Sequence, residues 1–248
     1  MKLILNGCLG RMGRAVASLA ADRGCEIAAG VDIAVGDAAF PVYTDWADCP
    51  AADAVIDFSN PASLEAELAY VTAKGLPLVL CTTGLSAEQM AAVKKAAETV
   101  PVFFSSNMSL GVAVLSALTK KAAAVLGDTF DIEIVEMHHN QKLDAPSGTA
   151  LMLADAAKAG LSYEPTYTYD RHTRRQKREK QEIGIASLRG GTVVGEHSVY
   201  FAGEQEVVTL SHSAGSRSVF ASGALTAAAF IVGRPAGLYS MEDILADV

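Results

Sequence analysis

The sequence predicts an α/β protein, a doubly wound parallel sheet with a second, smaller α+β domain, and three observations carry that expectation. Over the first hundred residues, short β-branched or apolar runs alternate with Ala-rich segments of helical spacing. From about Ser109 the texture changes to strand-like runs joined by Gly-rich turns, without helices between the later ones. An Ala-rich helical stretch then returns at Phe220–Val232.

The strands expected in the first part are Lys2–Leu5, Glu26–Val31, Ala54–Phe58, Leu78–Leu80 and Val102–Phe104. Helices are expected between them at Arg14–Arg23, Pro61–Lys74 and Ala87–Thr99, the last opened by a Ser86/Gln89 capping box. Strand and helix in strict alternation imply a parallel sheet covered on both faces. A long helix follows at Leu110–Leu126, a strand at Phe130–Met137, and a helix that starts near Gly148 and runs over Ala150–Ala159. The runs Glu182–Leu188, Thr192–Phe201 and Val207–His212 then suggest a mixed or antiparallel sheet. The late helix can pack back on the first domain, which divides the chain into residues 1–109 plus 220–248 and an inserted 110–219.

Bulk properties narrow the function. Half of the 248 residues are hydrophobic, which is enough for a sizeable core. A net charge of -8 argues against general affinity for nucleic acid or acidic membranes, both polyanions. Cys8, Cys25, Cys49 and Cys81 form no C-x-x-C pair, so reduced thiols are expected, with neither disulfides nor a metal site. The apolar stretches Leu3–Leu5 and Gly223–Val232 are too short for a signal peptide and a membrane span respectively. A cytoplasmic protein is expected.

Gly7-Cys8-Leu9-Gly10-Arg11-Met12-Gly13 follows the first strand and opens the first helix. Glycines there permit a tight turn and the close approach of a pyrophosphate, and the helix start offers unpaired N–H groups. The spacing G-x-x-G-x-x-G is weak alone and fits a plain βα turn as well. Asp32 stands about twenty residues on, at a strand end, where a carboxylate can bind adenine ribose hydroxyls or simply form a turn. Phe58-Ser59-Asn60, Cys81-Thr82-Thr83-Gly84 and Ser105-Ser106-Asn107-Met108 each follow an expected strand. In a doubly wound sheet those ends share one edge, so a Rossmann-type dinucleotide site is expected there. Asp32 repels a 2′-phosphate and Ile33 adds no cation, so NADH should serve at least as well as NADPH, although Arg11 can reach a phosphate.

The densest chemistry lies at Glu136-Met137-His138-His139-Asn140-Gln141-Lys142-Leu143-Asp144-Ala145-Pro146-Ser147-Gly148-Thr149. Adjacent histidines on an extended segment face opposite ways, so only one is expected to point into a cleft. Lys142 stands four residues beyond His138, a spacing that does not establish contact in a loop. Ser147 reads as an N-cap, and Ser147-Gly148-Thr149 at a helix start also suits a carboxylate. The basic run Arg171–Lys180 is most simply a solvated loop; attraction of an anionic substrate and a subunit contact are alternatives.

These residues resemble a known family. Glu136-Met137-His138-His139…Lys142…Asp144-Ala145-Pro146-Ser147-Gly148-Thr149 is similar to the signature of dihydrodipicolinate (4-hydroxy-tetrahydrodipicolinate) reductases of lysine and diaminopimelate biosynthesis. Further marks are the glycine loop, Thr82-Thr83-Gly84, Glu182-Ile183-Gly184-Ile185, Arg189-Gly190-Gly191 and Gly195-Glu196-His197, so the likeness spans essentially the whole chain. It implies a Rossmann-type domain completed by the late helix, an inserted substrate and oligomerisation domain, and a homotetramer. It implies NADH or NADPH as cofactor and a small dianionic heterocyclic dicarboxylate as substrate, reduced by hydride at ring C4 and a proton from His138. In that reading Lys142 is a proton donor or carboxylate partner, and His139, Ser147, Gly148 and Thr149 bind substrate. Gly7, Cys8, Leu9, Gly10, Arg11, Met12, Asp32, Cys81, Thr82, Thr83, Ser105, Ser106, Asn107 and Met108 line the cofactor site. Asn140 and Gln141 stand where many relatives carry basic residues, and Cys81 replaces a usual glycine. Another two-domain nicotinamide enzyme, such as an amino-acid dehydrogenase or a semialdehyde dehydrogenase (the latter needing an activated cysteine), and a non-catalytic nucleotide sensor are the rival readings.

Overall fold

The computed structural model describes residues 1–247. The chain divides into two compact units, one formed by Met1–Ser109 and the segment from Arg217 on, the other by Leu110–Ser216. The second boundary thus falls three residues before the expected Phe220, because the late helix starts earlier.

In chain order the elements are β1 (Lys2–Asn6), α1 (Arg11–Ala20), β2 (Glu26–Val31), β3 (Val42–Tyr43), β4 (Ala54–Asp57), α2 (Leu64–Lys74), β5 (Leu78–Leu80), α3 (Ala87–Ala96) and β6 (Pro101–Phe104). The inserted unit holds α4 (Leu110–Leu126), β7 (Asp131–His138), α5 (Gly148–Lys158), β8 (Thr166–Thr168), β9 (Glu182–Arg189), β10 (Gly195–Ala202) and β11 (Val207–Ala214). The chain then returns to the first unit with α6 (Ser218–Ile231), β12 (Gly237–Tyr239) and α7 (Met241–Ala246).

The first sheet has seven strands in the order β12-β6-β5-β4-β1-β2-β3, all parallel. Its central strands β1, β4 and β5 are apolar almost throughout and buried on both faces, as a doubly covered sheet demands. Ile4, Val55, Leu78, Leu80 and Val102 pack with Leu68 and Val71 of α2 and Val93 of α3. On α6, the Gly223 backbone lies so close that a Cβ would stand 1.6 Å from the Met108 carbonyl oxygen. The Ser86 capping box that opens α3 is formed in both directions. The short β3, β12 and α7 have too few residues for any periodicity to register, and none was expected.

The second sheet is mixed, in the order β11-β10-β7-β9-β8, with β7–β9 and β8–β9 parallel and the β10 pairings antiparallel. Along β7 the side chains alternate half-buried and buried, so Ile132, Ile134, Glu136 and His138 share the inner face. That face packs with Val199 and Phe201 of β10 against Leu115 of α4 and Leu153 and Ala157 of α5.

The basic run is a largely exposed loop, but Arg171, Arg174 and Arg178 dock half-buried on the second sheet. Arg171 forks onto both Glu133 oxygens (2.8 and 3.0 Å) and reaches Glu182, which Arg174 also contacts at 2.6 Å. Arg178 donates to Glu133 (2.9 Å) and to the Ile132 carbonyl (3.1 Å), and Lys180 to the Phe130 carbonyl (2.7 Å). The reason is charge compensation: Glu133 on β7 and Glu182 on β9 belong to neighbouring strands, and three arginines neutralise the two carboxylates. Gly184 makes room, since a Cβ there would sit 1.8 Å from a Glu133 oxygen. Arg178→Ala should therefore lower unfolding free energy by about 1–3 kcal/mol, read from denaturant unfolding at neutral pH.

Candidate active site

The first unit brings its polar loops to the carboxyl edge of the sheet. At β1 the strand order reverses, and β1 and β4 lie side by side. Gly7 follows β1 at φ 73°, and a Cβ there would meet the Phe58 carbonyl oxygen, just after β4, at 2.5 Å. Only glycine fits both the backbone angle and the space. Gly10 caps α1 in extended conformation with no side-chain cap, so the first N–H groups of the helix face outward past a residue without a side chain. A cleft of about 370 Å³ opens here, lined by Gly7, Gly10, Asp32, Ile33, Phe58 and Ser59 among others.

Asp32 does more than line the cleft. One carboxylate oxygen accepts from Leu9 N (2.9 Å) and the other from Ile33 N (2.8 Å), so the acid braces the glycine loop from β2. Arg11 is exposed, whereas the Cys8 and Met108 side chains are buried and can reach a ligand only through their backbone. Cys81 and Thr82 are also buried, Thr83 and Ser106 are exposed, and Ser105 bonds the backbone of Asn107.

Two buried carboxyls under this edge went unnoticed in the sequence, Asp57 and Glu67. Burial pushes both toward the neutral acid, with hydrogen bonds from Ser59 opposing it at Asp57. Cys81 is driven well above the ordinary thiol range, first by burial and then by these neighbours. A thiol held in that state is not an activated nucleophile.

In the second unit the histidine pair divides as alternation requires: His138 is buried and His139 half-exposed. His138 Nδ1 lies 2.5 Å from Glu136 Oε2. Glu136 is fully buried and takes a two-pronged contact from Arg189 (2.9 and 2.9 Å), and Ser147 N donates to it at 3.1 Å. Burial alone would raise the Glu136 carboxyl, but hydrogen bonds from Arg189, Ser187 and His138 bring it down to about 2. Burial lowers His138 from its ordinary value; Glu136 opposes that shift, and the Lys142 and Arg189 charges add to it.

Ser147 turns inward. Its Oγ accepts from Ala150 N as the N-cap of α5 and lies 2.9 Å from His197 Nε2. The His197 ring stands edge-on to His138 at 5.1 Å. Gly148, at the start of α5, is exposed with open space where a Cβ would be. Lys142 pairs with the exposed Asp144 at 2.8 Å, and no bond to His138 joins the two residues of that four-residue spacing. Glu136, Arg189 and His197 are the site residues that reasoning from spacing did not select. The pointer was present in the alternation of β7, which puts Glu136 on the same face as His138.

Among the described residues, no three His, Cys, Asp or Glu side chains gather as a metal site, and no helix is long and apolar enough to cross a membrane.

A parallel sheet with a glycine loop at its reversal point, joined to an inserted mixed-sheet unit, defines a two-unit dinucleotide-binding oxidoreductase. Comparison with known proteins gives the particular one. The descriptions "Dihydrodipicolinate reductase, N-terminus" and "Dihydrodipicolinate reductase, C-terminus" match residues 1–108 and 111–245. The chain belongs to the dihydrodipicolinate reductase family, whose members are NAD(P)H-dependent oxidoreductases. The 4-hydroxy-tetrahydrodipicolinate reductase of Caldanaerobacter subterraneus subsp. tengcongensis is 50% identical over 247 residues, 99% of this chain and 98% of that one. Its namesake from Clostridium tetani is 45% identical over 248 residues, 99% of this chain and 97% of the other. The fold is that of dipicolinate-bound dihydrodipicolinate reductase from Paenisporosarcina sp. TG-14 (TM-score 0.81, 23% identity, 98% and 99% of the two chains). A more distant likeness is GenD2 from gentamicin A biosynthesis, in complex with NAD (TM-score 0.55, 16% identity, 99% and 90%).

His197 is lowered to about 4, chiefly by burial and then by the charge of His138. A histidine whose folded pKa lies below its unfolded value, about 6.5, favours the fold above that value and loses its contribution as pH falls. Wild-type stability should thus decline between about pH 6.5 and 4 by on the order of 3 kcal/mol. Glu136 extends the decline from about pH 4.5 toward 2. His197→Gln should flatten the upper window, read by chemical unfolding across the pH series.

Proposed function

We propose that the chain reduces 4-hydroxy-tetrahydrodipicolinate (dihydrodipicolinate) to tetrahydrodipicolinate, using NADH or NADPH, in diaminopimelate and lysine biosynthesis. The observation that carries the reading is the buried His138, tied through Nδ1 to Glu136 and lying in a region where the chain matches reductases of that name. The dipicolinate of the Paenisporosarcina relative supports a heterocyclic dicarboxylate as the substrate class.

The glycine loop fits a dinucleotide, since a Cβ at Gly7 would fill the turn and the start of α1 has no side-chain cap. Gly7, Cys8, Leu9, Gly10, Arg11 and Met12 would hold the pyrophosphate, Asp32 the adenine ribose, and Cys81–Thr83 with Ser105–Met108 the nicotinamide half. The 4-hydroxyl of the substrate leaves as water to give the unsaturated dihydrodipicolinate ring, and the dinucleotide, when bound, supplies the hydride for its C4. His138 gives the proton that the resulting electron-rich ring requires. A dianion near the imidazole favours its charged form, so proton uptake accompanies substrate binding despite the depressed starting value. Lys142 exchanges Asp144 for a substrate carboxylate. The backbone of Gly148 and Thr149, aided by the dipole of α5, receives a carboxylate together with His139. Ser147 acts from beneath, by capping α5.

A cytoplasmic homotetramer fits this reading. The outer face of the second sheet carries the half-buried Val135, Met137 and Tyr200, while α4 and α5 pack on its other face. Further copies of the chain would cover it. The inert Cys81 speaks against a semialdehyde dehydrogenase.

The decisive assay generates the substrate in situ from pyruvate and aspartate semialdehyde with the partner synthase. NADH or NADPH absorbance should fall, and no fall with either refutes the reading. His138→Gln should reduce kcat by roughly 10²–10⁴-fold while NADH affinity, measured by fluorescence titration, stays close to wild type. Asp32→Asn keeps an acceptor for Leu9 N and removes a charge. It should shift the ratio of kcat/KM values toward NADPH by about tenfold, ~1.4 kcal/mol.

A further inference from the structure

Glu136 sits at the centre of a buried polar cluster in the second unit. Strand register sets its neighbours, since Glu136 lies opposite Ser187 on β9 and His197 on β10, and His138 lies opposite Arg189. Its two oxygens together receive Arg189 on both prongs, Ser147 N and His138 Nδ1. Arg189 is anchored in turn by the carbonyls of Asp144 (2.6 Å) and Leu188 (2.7 Å). The carboxylate cannot rotate away from the imidazole without giving up several charge-assisted bonds. The other ring nitrogen, Nε2, meets the backbone of β10, where a Cβ on Gly195 would stand only 3.0 Å away.

We propose that Glu136 and Arg189 are the positioning pair of the reaction, committing His138 Nδ1 to the protein and leaving Nε2, in the gap that Gly195 provides, as the nitrogen that serves the substrate. The inference rests on His138 being the proton donor. Glu136 stabilises the imidazolium, and Arg189, by sharing the carboxylate, moderates that stabilisation. The titratable and charged groups around the ring are Glu136 on its own strand, Arg189 on β9, His197 on β10 and Lys142 in the following loop. The two members of the pair therefore pull the proton affinity of His138 in opposite directions, which a merely structural ion pair has no need to do.

The test uses the full-length protein. Long-range ¹H–¹⁵N correlation spectra of the wild type should report the Nδ1–H tautomer of neutral His138, and a predominant Nε2–H tautomer overturns the proposal. In a histidine titration by NMR, Glu136→Gln should lower the His138 midpoint and Arg189→Gln should raise it, each by roughly one to three pH units. The alkaline limb of kcat/KM should move with the midpoint in each variant. Midpoints that stay in place, or move the same way in both variants while activity falls, reduce the pair to a structural role and overturn the proposal. Midpoints that move as stated with an unmoved activity limb instead overturn His138 as the proton donor, while the reduction itself stands or falls on the absorbance assay. Thermal unfolding of each variant verifies that it is folded. Should Arg189→Gln not fold, the wild-type tautomer and the Glu136→Gln midpoint still decide.

Discussion

A single buried negative charge organises the second unit. Glu136 has no solvent contact, and an isolated carboxylate in such a place is prohibitively costly. The fold meets that cost with one guanidinium, one imidazole, one backbone amide and the Ser187 side chain, drawn from β9, β7 and the turn into α5. Each of these partners is thereby held in place. The start of α5 is tied to β7 through Ser147, the end of β9 through Arg189, and the ring of His138 through its inner nitrogen. Removing the charge would release three elements at once.

The first unit solves a different problem, how to let a large anion approach a backbone. Its answer is subtraction. Gly7 and Gly10 remove side chains at the crevice, and burial pushes Asp57 and Glu67 below it toward the neutral acid. At the rim, Asp32 accepts from the amides of Leu9 and Ile33. In the proposed reading the same group both shapes the loop and discriminates a ribose hydroxyl from a phosphate. The basic clamp on Glu133 and Glu182 remains apart from this economy: it balances charges within the second sheet.

The long elements were legible because burial leaves a periodic trace. The strands β1, β2 and β5 and the helix α4 lie where runs of Leu, Ile, Val and Ala indicate, to within a residue. The loop residues Gly7, Gly10 and Asp32 were legible through the stereochemistry of a βα turn. What did not register was pairing between distant residues. Nothing in the spacing of Arg171, Arg174 and Arg178 announces that they close on Glu133 and Glu182, since that depends on which strands lie side by side. Likewise Ser147 reads as a cap, and is one, but its second contact to His197, fifty positions on, emerges only when β10 pairs with β7.

The seven-stranded sheet has a consequence for how the chain is made. Its last neighbour contact, β12 beside β6, joins segments on either side of the whole inserted unit. Until α6 and β12 have left the ribosome, β6 is an open strand edge and one face of β4 and β5 lacks its covering helix. The inserted unit, with a separate core between Leu110 and Ser216, can gather itself in that interval. The half that is synthesised first is therefore the half that is finished last.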